Sequence, residues 1–404
     1  MNSYLIAAVW LGLALVASII SIRIGISVAL IEILVGAVFA NTPGVKEHLT
    51  QTEITTFLAN VGSLLLTFLA GAEIDPVSLR RHWKASVSIG AISFVLPFVG
   101  SFAICRLALH WNLHASEIGA IALSTTSVAV IYAVLVETGL NRHDVGKLLL
   151  GACFVSGLLT LSALGALFTS YGWLLGVFVA VTVASVFLLP RLLRLVIDRL
   201  GHRVSEPEVK FLFAALLGLG GLATAAGVPA VLSAYIAGLV VAGVFVHDRV
   251  ILGRIRTIAF ALLTPFFFIR TGALISAPVL ISGAGVIGLL FVVKMATKLA
   301  GVWPLTVAFG IPARDRAYTT LLMATGLTFG TIAALYGLTH HLVGQRQYTE
   351  LITVIVLSAF VPTLIAQRFF QPTVNMDPDD EEALGGEDAS IVHRAPPRER
   401  PTSS

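Results

Sequence analysis

Three apolar stretches carry polar atoms where a buried helix has least use for them. Ala120 to Leu140 reads AIALSTTSVAVIYAVLVETGL, with Ser124, Thr125, Thr126 and Ser127 in a row, and Asp144 to Phe168 reads DVGKLLLGACFVSGLLTLSALGALF, with Ser156 and Gly157 halfway along. A third, MATGLTFGTIAALYGL, holds Thr325 and Thr328. Hydroxyls and loosened backbone at the middle of a membrane helix are useful only where protein or a hydrated site meets them. Such oxygens can stand in for water around an ion or a small polar solute. Three cations join them: Arg270, Lys294 and Lys298 lie inside apolar runs, where an ionised Lys or Arg costs about 2.5–3.5 kcal/mol even on the lenient insertion scale. A lysine can release and regain a proton; an arginine keeps its charge. Glu32 is the one carboxylate placed well inside a run, whereas Glu73, Asp75, Glu117, Glu137 and Asp144 sit near run ends.

The elements that hold these residues are membrane helices. Of 404 residues, 57% are hydrophobic and 12% charged, with a mean hydropathy of +0.93, far from the roughly 25% charged residues of a soluble domain. The pI of 9.2 does not point to nucleic acid, because the basic residues are spread through loops rather than gathered on one face. Cys105 and Cys153 lie in apolar runs and suit packing better than a disulfide. The N-terminus lacks the basic start and small-residue cleavage site of a signal peptide and reads as a first span.

Apolar runs long enough for a hydrocarbon core of about 30 Å number thirteen, at roughly 3–21, 24–40, 54–73, 85–106, 117–139, 145–168, 171–190, 209–226, 229–246, 257–275, 278–300, 317–338 and 349–368. With the N-terminus outside, the inside loops hold Arg23, Arg80, Arg81, Lys84, Arg142, Lys147, Arg191, Arg194, Arg199, Arg203, Lys210, Arg249, Arg254, Arg256, Arg314 and Arg316, against Lys46, Arg106 and Arg346 outside. That asymmetry predicts N-out and C-in. Residues 1–370 form the membrane domain, and 371–404, rich in Asp, Glu, Pro, Arg and Ser, read as a disordered cytoplasmic tail. The halves look related: TFLAGAEIDPVSL (67–79) and FIRTGALISAPVL (268–280) share a frame, and the hydroxyl-broken span ending Gly139-Leu recurs as the one ending Gly337-Leu. One member of each pair ends inside and the other outside, so the repeats are inverted. Inverted repeats with interrupted helices are the pattern of secondary transporters.

Four phrases carry a resemblance over about residues 5–370. They are LANVGSLLLTFLAGAEIDPVSLRR (59–81), GVPAVLSAYIAGLVVAG (227–243), TPFFFIRTGALI (264–275) and KMATKLAGV (294–302). In this order they resemble the sodium/proton exchanger domain of the monovalent cation/proton antiporters. The resemblance implies an all-α polytopic fold with two crossed discontinuous helices, Na⁺ or K⁺ exchanged for H⁺ by alternating access, no cofactor, no resident metal, no enzymatic catalysis, and a homodimer in the inner (plasma) membrane. It also implies an Asn-Asp or Asp-Asp pair in the cation site, where this chain has Ser156 and Gly157; a serine hydroxyl does not titrate near neutral pH and glycine offers only backbone. An aspartate sometimes found in the preceding crossed helix falls on Thr126 and Ser127. Lys298, in a Lys-x-x-Gly setting, matches the family lysine that would pair with the missing acid, and unpaired it could carry the proton itself. Glu32 resembles a second-span glutamate belonging to the interface side.

Each residue has a plainer reading. Lys294 and Lys298, near the cytoplasmic end of their span, could reach along it to water. Arg270 bonds unwound carbonyls or faces an anion, and the hydroxyls cap their own backbone or join helices. With its positive groups kept and its acid lost, the same fold could carry an organic anion or neutral solute, or have become a transport-dead sensor. The string GLGGLATAAG (218–227) has no strand before it and suits helix packing, and His340-His341 suits a solvated turn rather than a metal.

Overall fold

A computed structural model describes residues 3–24, 27–42, 53–72, 83–137, 140, 144–169, 172–201, 203–245 and 248–372, and nearly all of them are helical. Glu73, Asp75 and the tail from 373 onward lie outside the described residues. Helices α1 (Ser3–Ile24), α2 (Val28–Ala40), α3 (Glu53–Ala72) and α4 (Trp83–Ala103) come first, and α4 runs into a π turn, Ile104–Ala108. Then follow α5 (Leu113–Ser124), α6 (Val128–Glu137), α7 (Asp144–Phe168), α8 (Trp173–Leu200), α9 (Pro207–Ala225) and α10 (Ala230–Phe245). Helix α11 (Arg249–Ile258) continues through a π turn, Ala259–Leu263, into α12 (Thr264–Ala273); a short α13 (Ala277–Ser282) precedes α14 (Ala284–Ala308), α15 (Ala313–Met323), α16 (Thr328–Thr339) and α17 (Gln345–Phe369). By length and composition, ten helical segments among the described residues can cross a membrane. Two more apolar helices, α2 and α10, are shorter, at 13 and 16 residues.

Two of the apolar runs are broken halfway. Helices α5 and α6 are separated by Thr125–Ser127, and α15 and α16 by 324–327. The local cause is the same in both. A helix that stops leaves its last carbonyls without partners, and here hydroxyls bond them: Ser124 Oγ donates to Ile121 O at 2.9 Å, Thr125 Oγ1 to Ala122 O at 3.0 Å, and Thr325 Oγ1 to Leu322 O at 2.7 Å. Ser and Thr side chains thus compete with the helical ladder.

The helices pack in two groups. Helices α1, α2, α3, α8, α9, α10, α11 and α12 form one, with Phe68, Leu193, Leu212, Val241 and Ile255 in its core. Helices α4 to α7 and α14 to α17 form the other. In the first group, backbones meet at glycines: a Cβ on Gly36 would overlap Ile269 O, one on Gly272 would overlap Ile33 O, one on Gly238 would overlap Phe68 O, and one on Gly71 would lie 2.5 Å from Tyr235 O. This close approach is how membrane helices gain dispersion energy, since lipid removes any hydrophobic drive between them. Asn41 ties the end of α2 to the turn after α12: its Nδ2 donates to Ala37 O at 2.7 Å and Ile275 O at 2.8 Å, and its Oδ1 accepts from Ala277 N at 3.0 Å. Tyr235 of α10 links the groups, donating to Phe154 O of α7 at 3.2 Å and packing on Phe154 and Phe329 at centroid distances of 5.9 and 5.6 Å.

Candidate functional site

The two breaks meet. Ser127 N–H donates to Thr325 O at 2.9 Å, and Ser127 Oγ and Thr328 Oγ1 lie 3.4 Å apart, so residues some 200 apart in the chain cross backbone to backbone. Thr126 is the hub. Its Oγ1 accepts from Lys298 Nζ at 2.8 Å and from Ser156 Oγ at 3.2 Å, and donates to Met323 O at 3.1 Å. That uses the whole capacity of a hydroxyl, one donor and two lone pairs. Lys298 also donates to Ser93 Oγ of α4 at 2.8 Å. One amine therefore joins α14, α4, the α5–α6 break and, through Ser156, α7.

Thr126→Val removes this hub at nearly constant volume. It takes away one of the two acceptors of Lys298 and the acceptor of Ser156 Oγ in a buried site, a change worth about 1–3 kcal/mol. A fall in melting temperature of the purified protein for Thr126→Val, with Thr126→Ser close to the natural chain, is the expected result of a thermal shift series.

Lys294 sits one turn before Lys298, and both are 0% exposed. Neither stretches to water, as the plainer reading of the sequence had it. Among the described residues Lys294 Nζ has no hydrogen-bond acceptor, and it lies in the α15–α16 break, where a methyl group on Gly326 would overlap it and would stand 2.9 Å from Thr125 Oγ1 and 3.1 Å from Thr125 O. Among the described residues no carboxylate is bonded to either lysine. At Gly157, a Cβ would meet Phe329 Cε2 at 2.6 Å and Tyr235 Oη at 3.3 Å, so an aromatic pair fills the space a longer side chain would need.

The crossing thus gathers Thr125, Thr126, Ser127, Ser156, Thr325, Thr328, Lys294 and Lys298, with Gly157 at its edge against Phe329. Ser124 lies beside it but is turned back onto its own helix. Arg270 and Glu32 are elsewhere. Arg270 is in the last turn of α12, with Nε and Nη1 buried and without acceptors among the described residues. Glu32 is 3% exposed in α2, whose packing partners are α1 and α12. Ser93 is a member of the cluster that the sequence reading passed over. Its signal was there: Ser86, Gly90, Ser93, Pro97 and Ser101 make a stripe of small and polar residues at helical spacing along α4, the mark of a face turned to other helices. Cys153 and Cys105 are buried and unpaired, as their apolar setting suggested.

Residues 11–371 match the family described as sodium/hydrogen exchanger, transmembrane. The chain belongs to this family. Sodium/hydrogen exchangers are secondary transporters, and this member is a multi-pass membrane protein. It is 24% identical over 363 residues to the Na(+)/H(+)-K(+) antiporter GerN of Bacillus cereus, covering 87% of this chain and 92% of that one. It is 25% identical over 347 residues to Cation/H(+) antiporter 18 of Arabidopsis thaliana, covering 81% of this chain but only 42% of the plant protein's length. The sodium proton antiporter MjNhaP1 from Methanocaldococcus jannaschii, solved at pH 8, superposes with a TM-score of 0.67 at 16% identity, over 92% of this chain and 100% of that one. That likeness gives the exchanger fold to this chain.

Proposed function

We propose that this exchanger moves a monovalent cation, Na⁺ or K⁺, against protons by alternating access. It would sit in the plasma membrane (a bacterial-type inner membrane) with the N-terminus outside and the C-terminus in the cytoplasm, as a homodimer. The observation that carries the reading is the crossing itself: two interrupted helices joined by Ser127 N–H and Thr325 O, lined by hydroxyls and entered by two lysines. Broken helices offer backbone carbonyls to a cation, an arrangement typical of transporters built from inverted repeats. The two helix groups supply the moving parts, one rocking against the other around the Tyr235 contact. The names of GerN and of the plant relative, both antiporters, support the ion class.

The test is reconstitution in liposomes with an internal pH dye and a gradient of Na⁺, K⁺ or Li⁺. A slow, saturable proton movement is expected with at least one of them. A second reading, an organic anion as cargo, is favoured by the unpaired amine of Lys294 and by the start of α16, where the capping residue Leu327 makes no side-chain bond to the first turn. Helix N-termini and unpaired amines both attract negative charge. Uptake of labelled organic anions without any cation-driven signal would move the assignment there, and silence in every assay would leave a sensor.

A further inference from the structure

We infer that Lys294, and not the better-placed Lys298, carries the proton this exchanger moves, and that the exchanged cation and this proton alternate as one positive charge at the crossing. The inference rests on the crossing being the transport site. The two amines lie one turn apart on α14 and have opposite surroundings. Lys298 is held by two hydroxyls at 2.8 Å that join three helices. Lys294 is equally buried, makes no hydrogen bond among the described residues, and enters the second break against Gly326. A group tied on two sides serves as a strut; a group with no acceptor is free to change its state.

An ammonium buried without a partner is costly, so in this closed arrangement Lys294 cannot keep a charge while a cation lies beside it. The oxygens a cation would use, Thr125 O and Thr125 Oγ1, face the same place beside Gly326 that the amine fills in the absence of a Cβ. Occupation by a cation therefore requires Lys294 as the free amine, and a proton on Lys294 repels the cation. Each arrangement places one exchangeable positive charge at the break. The two half-cycles then move equal charge, and exchange is one for one and electroneutral.

Other ionisable groups do not replace Lys294 in this role. Helix α4 brings Lys84, which lies over the Trp83 ring at its start. Among the described side chains, helix α15 brings Asp315, Arg316 and Tyr318, and α17 brings Arg346, Tyr348, Glu350 and Arg368. Tyr348 Oη donates to Thr271 O, and Glu350 accepts from Arg346 at the start of α17. Cys153 of α7 packs its sulfur 3.7 Å from that of Met323. None of these is both unpartnered and placed against Gly326.

The experiment uses proteoliposomes of the full chain, with proton movement read by an internal dye, ²²Na⁺/Na⁺ counterflow measured beside it, and the membrane potential clamped. Lys294→Met and Lys294→Arg are expected to lose proton movement to the level of empty liposomes. Lys294→Met keeps Na⁺/Na⁺ counterflow, because the oxygens remain; Lys294→Gln replaces it if the methionine variant is not recovered. Lys298→Met, which removes the strut, is expected to lower the melting temperature and to weaken proton movement and counterflow together, without the split between the two that marks Lys294→Met. Potentials of about 100 mV of either sign leave the natural rate unchanged. Proton movement that survives in Lys294→Met, or a rate that follows the potential, overturns the inference while leaving the exchange reading intact. A natural chain that moves no cation and no proton overturns both.

Discussion

Gly272→Ala is expected to leave little folded protein to extract from the membrane. The added methyl group would overlap Ile33 O, a backbone atom that cannot rotate away, and Gly36 makes the reciprocal contact with Ile269 O. Helices α2 and α12 would have to separate along their length. Overpacking a core costs about 1–3 kcal/mol where side chains can adjust, and here both surfaces are backbone, so the loss should exceed that range. Gly221→Ala, in α9 with nothing within 4 Å of a new Cβ, is the control; helix propensity alone should make it about 0.5–1 kcal/mol more stable. Fluorescence-detected size exclusion and thermal unfolding of the two variants measure the difference, and similar melting temperatures would refute the close-packed seam.

The second large effect is a gain. Ser156→Asn with Gly157→Asp writes back the polar pair that the family resemblance implies, but the structure shows an obstacle: Phe329 Cε2 stands 2.6 Å from where the new Cβ must go. Phe329 is 1% exposed and packs edge-on against Tyr235, so its ring has little room to turn. The double variant alone should therefore be poorly stable, while adding Phe329→Leu opens the space and sets a carboxylate near the Lys298 cluster. Cation-driven proton flux in liposomes should then exceed that of the natural chain by about tenfold or more, in line with what one preorganised charged group contributes. A triple variant that folds and is no faster than the natural chain would show that the acid's place has been reassigned rather than vacated.

Much of the site could be seen in the chain before folding. The hydroxyl knots at Ser124–Ser127 and around Thr325 mark both breaks, because a hydroxyl run in an apolar helix signals competition for backbone carbonyls. The burial of Lys294 and Lys298 follows from their place in a long apolar run. What a linear reading misses is partnership. Nothing in the spacing of α14 tells which of two lysines, four residues apart, will find Ser93 and Thr126, since that depends on how helices far apart in the chain are crossed. Ser93 was passed over because a single serine looks inert until its stripe along α4 is drawn. Arg270 and Glu32 are conspicuous in the sequence for the same reason as the lysines, yet α12 and α2 carry them into the other helix group. The aromatic filling of the space at Gly157 is invisible from sequence, because Phe329 and Tyr235 come from different helix groups, α16 and α10.

The Asn41 clasp bears on how the protein is made. Asn41 completes its bonds only with Ile275 and with Ala277, 236 residues downstream. At about 5–20 residues per second, the ribosome needs on the order of ten to fifty seconds to cover that distance. For all that time the second helix waits in the bilayer with its glycine face open, and the nascent chain must hold it there, beside α1, until its mate is born.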